Sequence, residues 1–282
     1  MAAKMKDIKR RINSVSSIRQ ITKAMELVST SKMRRTRIKL ETTRPYYNTV
    51  TDNISELVSV VKDVKTPLTR TREIKSTMHI IVSSDRGLAG GYSGNIARYA
   101  IDNIDKENDL LITIGGKAYD FFNKKGYKIY KKCNMMEDIE FGDAKFISEM
   151  AIDAFKAGEV DSVKIFYTHF QSALVQKPMS LVLLPADKIE SHKEVDTELI
   201  TFEPSAEYML DYLIEEFVKI AVYGALIESS ASEQAARMQA MKNASESADD
   251  MIEELGMHYN RARQGSITQE LTEIVSGAEA LN

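Results

Sequence analysis

Cysteine is almost missing from this 282-residue chain. Cys133 is the only one, which excludes an internal disulfide and a cysteine-based zinc site and fits a reducing compartment. Tryptophan is absent and aromatic residues make up only 7%, leaving a modest core, whereas 14 Met suit adaptable packing surfaces. No apolar run approaches the roughly 20 residues of a membrane span. Residues 1–11 are rich in Lys and Arg but lead into no continuous apolar stretch, so a secretory signal is not expected. Helical patterning begins at once and leaves no room for a removable leader. A net charge of −3 gives no global indication of nucleic acid or membrane binding.

Chain breakers are lacking at both ends. No Gly precedes Gly87, no Pro precedes Pro45, no Pro follows Pro204, and nine of the 13 Gly lie between Gly87 and Gly158. Both ends are therefore free to run as long helices. Met5, Ile8, Ile12, Val15, Ile18, Ile21, Met25 and Val28 recur in steps of three and four, the spacing of a coiled-coil seam. Residues 3–58 as one helix would span about 85 Å, with Pro45 the expected point of a kink or interruption. From residue 205 the pattern returns at Leu213, Phe217, Ile220, Ile227, Met238, Met241, Ile252, Leu255, Leu271, Ile274 and Leu281, with Glu203-Pro204 as a plausible start. That helix would reach about 115 Å, longer than any globule this chain could build, so much of it is expected to protrude. Alanines at 231, 235, 240, 244 and 248 allow a close approach of two helices.

The ends differ sharply in charge. Residues 1–44 hold 13 Lys/Arg against 3 Asp/Glu, and residues 205–282 hold 5 against 14. Opposite charge favours pairing the two with each other. Between them, residues 76–190 alternate strand and helix. Strands are expected at 78–82, 110–114, near 127–130, at 163–167 and at 181–184, with helices at 92–105, 117–125 and 143–157. Such alternation predicts a small Rossmann-like α/β domain with a mostly parallel sheet. The expected fold is thus α/β: a helix over 1–60, an α/β domain over 76–190, and a helix over 205–282 that pairs with the first as a long antiparallel coiled coil.

Candidate sites are few. Ser83 to Asn95 follow a strand and open a helix, where a nucleotide enzyme would place its phosphate loop, yet they match neither GxxxxGK[ST] nor GxGxxG. Gly115-Gly116-Lys117 lacks the upstream Gly of a phosphate loop, and no Ser or Thr follows the Lys. Tight turning explains both runs. His79, His169, His192 and His258 have no His or Cys at ligand spacing, and His79 reads as a packed, hydrogen-bonded strand residue. No metal, cofactor or catalytic constellation is expected. Lys32, Arg34, Arg35, Arg37 and Lys39 form a basic cluster with no interleaved aromatics, which favours a partner-protein or solvated face over nucleic acid.

Four motifs, in order and spread over nearly the whole length, do carry a resemblance. These are Ile8-Lys9-Arg10-Arg11-Ile12 through Ile21-Thr22-Lys23-Ala24-Met25 to Ser31-Lys32-Met33-Arg34-Arg35; Ser84-Asp85-Arg86-Gly87-Leu88-Ala89-Gly90-Gly91; Ser232-Glu233-Gln234-Ala235-Ala236-Arg237-Met238; and Arg263-Gln264-Gly265-Ser266-Ile267-Thr268-Gln269-Glu270-Leu271-Thr272-Glu273-Ile274-Val275-Ser276-Gly277-Ala278-Glu279-Ala280. The chain resembles the gamma subunits of bacterial rotary F-type ATP synthases. That resemblance implies a non-catalytic central-stalk rotor. Its partners would be three alpha and three beta subunits, an epsilon subunit and a ring of c subunits, with no nucleic acid and no insertion into the membrane. It also implies a peripheral position on the cytoplasmic face of the bacterial cell membrane. Residue by residue, it assigns Gln264, Thr268 and Glu270 to a beta catch region, Met25 and Arg237 to the lower beta lever, and Glu203 to the c-ring. Two rival readings, a nucleotide-dependent enzyme and a basic coiled-coil nucleic-acid binder, leave the C-terminal motif unexplained.

Overall fold

The computed structural model describes residues 2–60, 66–69, 72–135, 138–186 and 205–279, with the backbone alone at 2–4, 48, 51–60, 278 and 279. The elements run α1 (Ala2–Val60), β1 (Thr77–Val82), α2 (Tyr92–Ile101), β2 (Leu110–Ile114), α3 (Gly116–Lys124), β3 (Ile129–Cys133), α4 (Phe141–Ala157), β4 (Ser162–Phe170), β5 (Gln176–Leu184) and α5 (Ala206–Glu279). The chain is mixed α/β with long terminal helices, as its sequence pattern predicts. It divides into two compact units, one formed by Met1–Ser29 with Met238–Asn282 and the other by Thr30–Arg237. No described helix is long and apolar enough to cross a membrane.

In the α/β unit the sheet order is β3-β2-β1-β4-β5, parallel except for β4 and β5. All six residues of β1 are buried, as expected of a central strand covered on both faces. On one face Ile80, Val82, Ile112, Ile114 and Ile165 meet α4 through Ile147, Ala151 and Phe155 and α5 through Leu210, Ile214, Phe217, Val218 and Val222. On the other face Ile81, Leu111 and Phe166 meet Ile96, Ala118 and Phe122 of α2 and α3. Each such large side chain contributes roughly 1.5–3 kcal/mol by leaving water.

Local chemistry sets the element ends. Glu140 and Asp143 form a reciprocal capping box at the start of α4, and Gly158 closes it in the left-handed region at φ 77°, the conformation in which a Cβ is costly. Asp109 ties the open ends of three segments together. Its carboxylate accepts the Thr77 N–H at 2.8 Å and the Asp105 N–H at 2.7 Å, and lies 2.8 Å from His79 Nε2. Burial pushes the Asp109 carboxyl up, but these hydrogen bonds outweigh it and hold the group below the usual carboxylate range.

Two expectations fail. The interruption expected at Pro45, as the alternative to a kink, does not occur: α1 runs on to Val60 with Pro45 inside it. Pro45 is exposed, and Leu40, Tyr47 and Val50 on either side of it pack against the core, so tertiary contacts offset the lost helical hydrogen bond. β5 starts at Gln176, earlier than the run 181–184, because its exposed outer half lacks a continuous apolar signal; it pairs antiparallel with β4. The start expected at Glu203-Pro204 lies outside the described residues.

Two predictions follow from this packing. Gly115 has φ 93°, and a Cβ there would stand 2.4 Å from Ser83 O. Gly115→Ala should therefore destabilise the protein by more than about 2 kcal/mol, and an unchanged urea midpoint would refute this. Asp109→Asn should cost about 1–3 kcal/mol at neutral pH, since one amide oxygen cannot serve all three donors. Because the folded-state pKa of Asp109 is depressed, its contribution is complete above the ordinary carboxylate range and is lost as pH falls through the lowered value. The gap between wild type and variant, followed by thermal melts, should close on acidification.

Candidate partner-contact site

The two-helix unit is held by an antiparallel seam of small polar and alanine residues. Thr22 and Ser245, both buried, share a hydroxyl–hydroxyl hydrogen bond of 2.8 Å. One turn further, Arg19 pairs with Asp249 at 2.5 Å, a direct expression of the opposite charge of the two helices. Ser29, Met241 and Ala248 are also buried. Small side chains permit this close approach, and they reorganise the expected seam. Ile18, Ile21 and Val28, expected inside, are exposed on the outer face instead, because Thr22 and Ser29 take the inward positions.

This leaves unit surfaces that water alone does not explain. Ile18, Ile21 and Val28 form one stripe at helical spacing on α1, with Ile21 60% exposed. Met25 is half-buried between stripe and seam. On α5, Met251, Met257, Ile267, Leu271, Ile274 and Val275 are exposed, Ile274 to 68%. Continued from the Thr22–Ser245 pair, the antiparallel register brings the start of α1 beside the region of Gly265. Beyond Ser266 every residue of α5 to Gly277 is exposed. Gln264, Thr268 and Glu270 lie at this tip on the surface. Thr268 Oγ1 donates back to Gln264 O at 3.0 Å, and Ser266 Oγ donates to Glu270 Oε1 at 3.4 Å. Gln264 and Thr268 thus share one side of the helix, and Glu270 stands with Ser266 on another. Glu203 lies outside the described residues.

Arg237 belongs to the α/β unit and is turned inward. Its guanidinium pairs with Glu233 at 2.7 Å, with side-chain exposures of 12% and 10%, and its Nη2 donates to Gly87 O at 3.4 Å. Burial pushes the Glu233 carboxyl up, against the opposing pull of Arg237. Glu233 was missed as a site residue, although a Glu four positions before an Arg on a helix is a legible signal. The loop that Arg237 touches, residues 83–91, holds Leu88 at φ 64° with its side chain 62% exposed.

The same loop answers the phosphate question at the start of α3. Asp85 Oδ1 accepts the Gly116 N–H at 2.8 Å and Oδ2 accepts the Met135 N–H at 2.9 Å. A carboxylate of the chain itself thus sits at the N-terminus of α3, where a nucleotide fold would hold a phosphate. His79 is buried against Asp109 as its strand position suggests. Among the described residues, no group of three His, Cys, Asp or Glu could hold a metal.

Comparisons with known proteins cover the whole chain. The family model described as ATP synthase matches residues 4–281. The ATP synthase gamma chain of Alkaliphilus metalliredigens is 45% identical over 289 residues, covering 100% of both chains. The ATP synthase gamma chain of Acetobacterium woodii, described as sodium ion specific, is 42% identical over 302 residues, again with 100% of both covered. Among solved structures, a chain of the Tetrahymena thermophila mitochondrial ATP synthase central stalk and c-ring superposes with a TM-score of 0.65 at 30% identity, covering 80% of this chain and 99% of that one. A rotor chain of the Euglena gracilis mitochondrial ATP synthase, at 17% identity and a TM-score of 0.69, shares the fold. With motifs, architecture and full-length identity in agreement, the chain belongs to the family of ATP synthase gamma chains.

Proposed function

We propose that this gamma chain is the non-catalytic rotor of a bacterial F-type ATP synthase, transmitting torque between a membrane c-ring and a hexamer of alpha and beta subunits. In this reading catalysis resides in the beta subunits. The chain works as a peripheral component on the cytoplasmic face of the cell membrane, beside an epsilon subunit. The observation that carries it is the exposed apolar surface of the two-helix unit: Ile18, Ile21 and Val28 on α1 and Ile267, Leu271 and Ile274 on α5. A slender helical pair that leaves such residues in water is suited to an enclosing partner. The central-stalk and rotor titles of its structural relatives support the same role.

The functional division follows the chain: residues 1–60 and 205–282 as the shaft helices and 76–190 as the foot. Met25, Gln264, Thr268 and Glu270 are assigned to beta-facing contacts and Glu203 to the c-ring. Arg237, held by Glu233 and Gly87 O, contributes to coupling as part of a fixed charge pair under the 83–91 loop. Ion transport and ATP turnover are linked by differential contact, each beta state being favoured by the face of the shaft it meets.

Met25→Lys should place a cation at a half-buried apolar position and disturb coupling more than assembly. The ratio of ion pumping to ATP hydrolysis in membrane vesicles should fall severalfold, equivalent to about 1 kcal/mol of coupling. Pumping that stays proportional to hydrolysis in the variant would sink that assignment. Ile21→Asp should leave the melting temperature of the isolated chain unchanged, since the side chain is exposed, yet weaken binding to the alpha–beta hexamer by roughly tenfold. Equal affinity in a pull-down titration would show that the stripe meets no partner.

A further inference from the structure

We propose that the open β3 edge of the α/β unit, with the recess beside it, is a docking site for an acidic segment of a partner protein that carries a large apolar side chain. Three observations meet there. First, β3 stands at the end of the sheet and, among the described residues, pairs with β2 alone, so one row of its backbone groups is available to an added strand. Second, residues 117–132 carry six Lys, at 117, 124, 125, 128, 131 and 132, against the single carboxylate of Asp120. Among the described residues none of the six is in an ion pair, although basic residues elsewhere in the chain are: Arg19 with Asp249, Arg37 with Glu41, Lys156 with Glu215. Third, a recess of about 270 Å³ opens beside the strand, lined by Cys133, Met135, Ile139, Phe146, Ile147 and Leu226, with Lys131 and Lys132 also lining it. Phe146 is 55% exposed at this recess.

The strand geometry joins charge to recess. A shift in register between Leu111 and Ile112 sets Lys131 opposite Ile112 and Cys133 opposite Ile114. Paired residues of parallel strands share a face, and Ile112 and Ile114 belong to the face covered by α4 and α5. Lys131 therefore stands over the apolar recess. Lysines on an edge strand also deter unwanted pairing, but that role needs no apolar recess beside them.

The chemistry selects a protein segment among anionic partners. The patch contains no Arg, the residue whose planar fork clamps phosphate. Three of its aromatic faces are taken by cations: Lys132 lies over Tyr119 at 4.3 Å, Lys125 over Phe121 at 5.1 Å and Lys106 over Tyr127 at 5.9 Å. Those three are closed to base stacking, which leaves Tyr130 as the one exposed ring of β3, fewer than the successive platforms single-stranded nucleic acid uses. The apolar surface is concave and takes a side chain, whereas a bilayer is met by an apolar face that projects. None of the residues involved is among those assigned to coupling, and the proposal stands apart from the rotor reading.

The test uses the full chain and a fluorescein-labelled short peptide of alternating Asp and Glu around a central Phe. Fluorescence anisotropy reads binding, and the alkylation rate of Cys133, the sole cysteine, by N-ethylmaleimide reads occupancy of the recess. The peptide should bind in a salt-sensitive way and slow Cys133 alkylation. K131E/K132E should weaken binding at least about tenfold, with K131Q/K132Q intermediate and the circular dichroism melt unchanged in both. Replacing the peptide Phe by Ser should abolish the protection of Cys133. The proposal is overturned by no binding, by binding indifferent to K131E/K132E, or by binding that leaves Cys133 unprotected. Preferential capture of phosphatidylglycerol vesicles or oligothymidylate, lost in K131E/K132E, would reassign the patch to a lipid or nucleic-acid surface and equally overturn it.

Discussion

The α/β unit rests on one apolar face of α5. Leu210, Ile214, Phe217, Val218, Ala221, Val222, Ala225 and Leu226 are all buried against the sheet and α4. Where the stripe turns to small residues, backbone contact replaces volume: Ser229 Oγ accepts the Thr168 N–H at 3.1 Å, and Ser232 Oγ donates to Thr168 O at 3.0 Å. β4 is thereby bolted to the helix through its main chain, a mode that tolerates little sliding because every displaced polar group would be left buried without a partner. The same helix supplies the seam of the two-helix unit. α5 is therefore at once a core element of one unit and half of the helical pair in the other.

The two roles ask for different surfaces, and the sequence of α5 changes accordingly. Its early part is rich in branched and aromatic side chains that bury, its middle is alanine and serine, and its last part exposes large apolar residues between charges. The exposed residues of both helices do not form reactive groups. They present shape, and a surface of this kind acts on a neighbour by being more compatible with one of its states than with another.

Much of this was legible without coordinates. The lack of Gly and Pro at the ends announced two long helices, and the runs at 78–82 and 110–114 announced buried parallel strands, because continuous apolar sequence is the mark of a strand covered on both faces. What stayed hidden had physical causes. Periodicity placed Ile18 and Ile21 in the seam because it weighs hydrophobicity, whereas a tight antiparallel approach selects for size, and Thr22 and Ser29 won. Pro45 read as a kink or interruption, and the helix continues through it because local rules do not include the packing of Leu40 and Val50. Gln264, Thr268 and Glu270, the proposed beta-facing residues, carry no intrinsic chemical signature. They could be singled out only through family resemblance, whereas the Glu233–Arg237 pair was present in the i, i+4 spacing and was overlooked.

The placement of Asp85 has a wider meaning for a chain of the ATP synthase gamma family. By bringing its own negative group to the start of α3, one of two helix starts that follow a glycine-rich turn, the sheet leaves no room for a phosphate in that corner. The α/β unit is thus deaf to phosphate at that helix start. A mechanical linkage benefits from such deafness: what it delivers depends on the force it receives, and its stiffness does not drift as the product it helps to make accumulates.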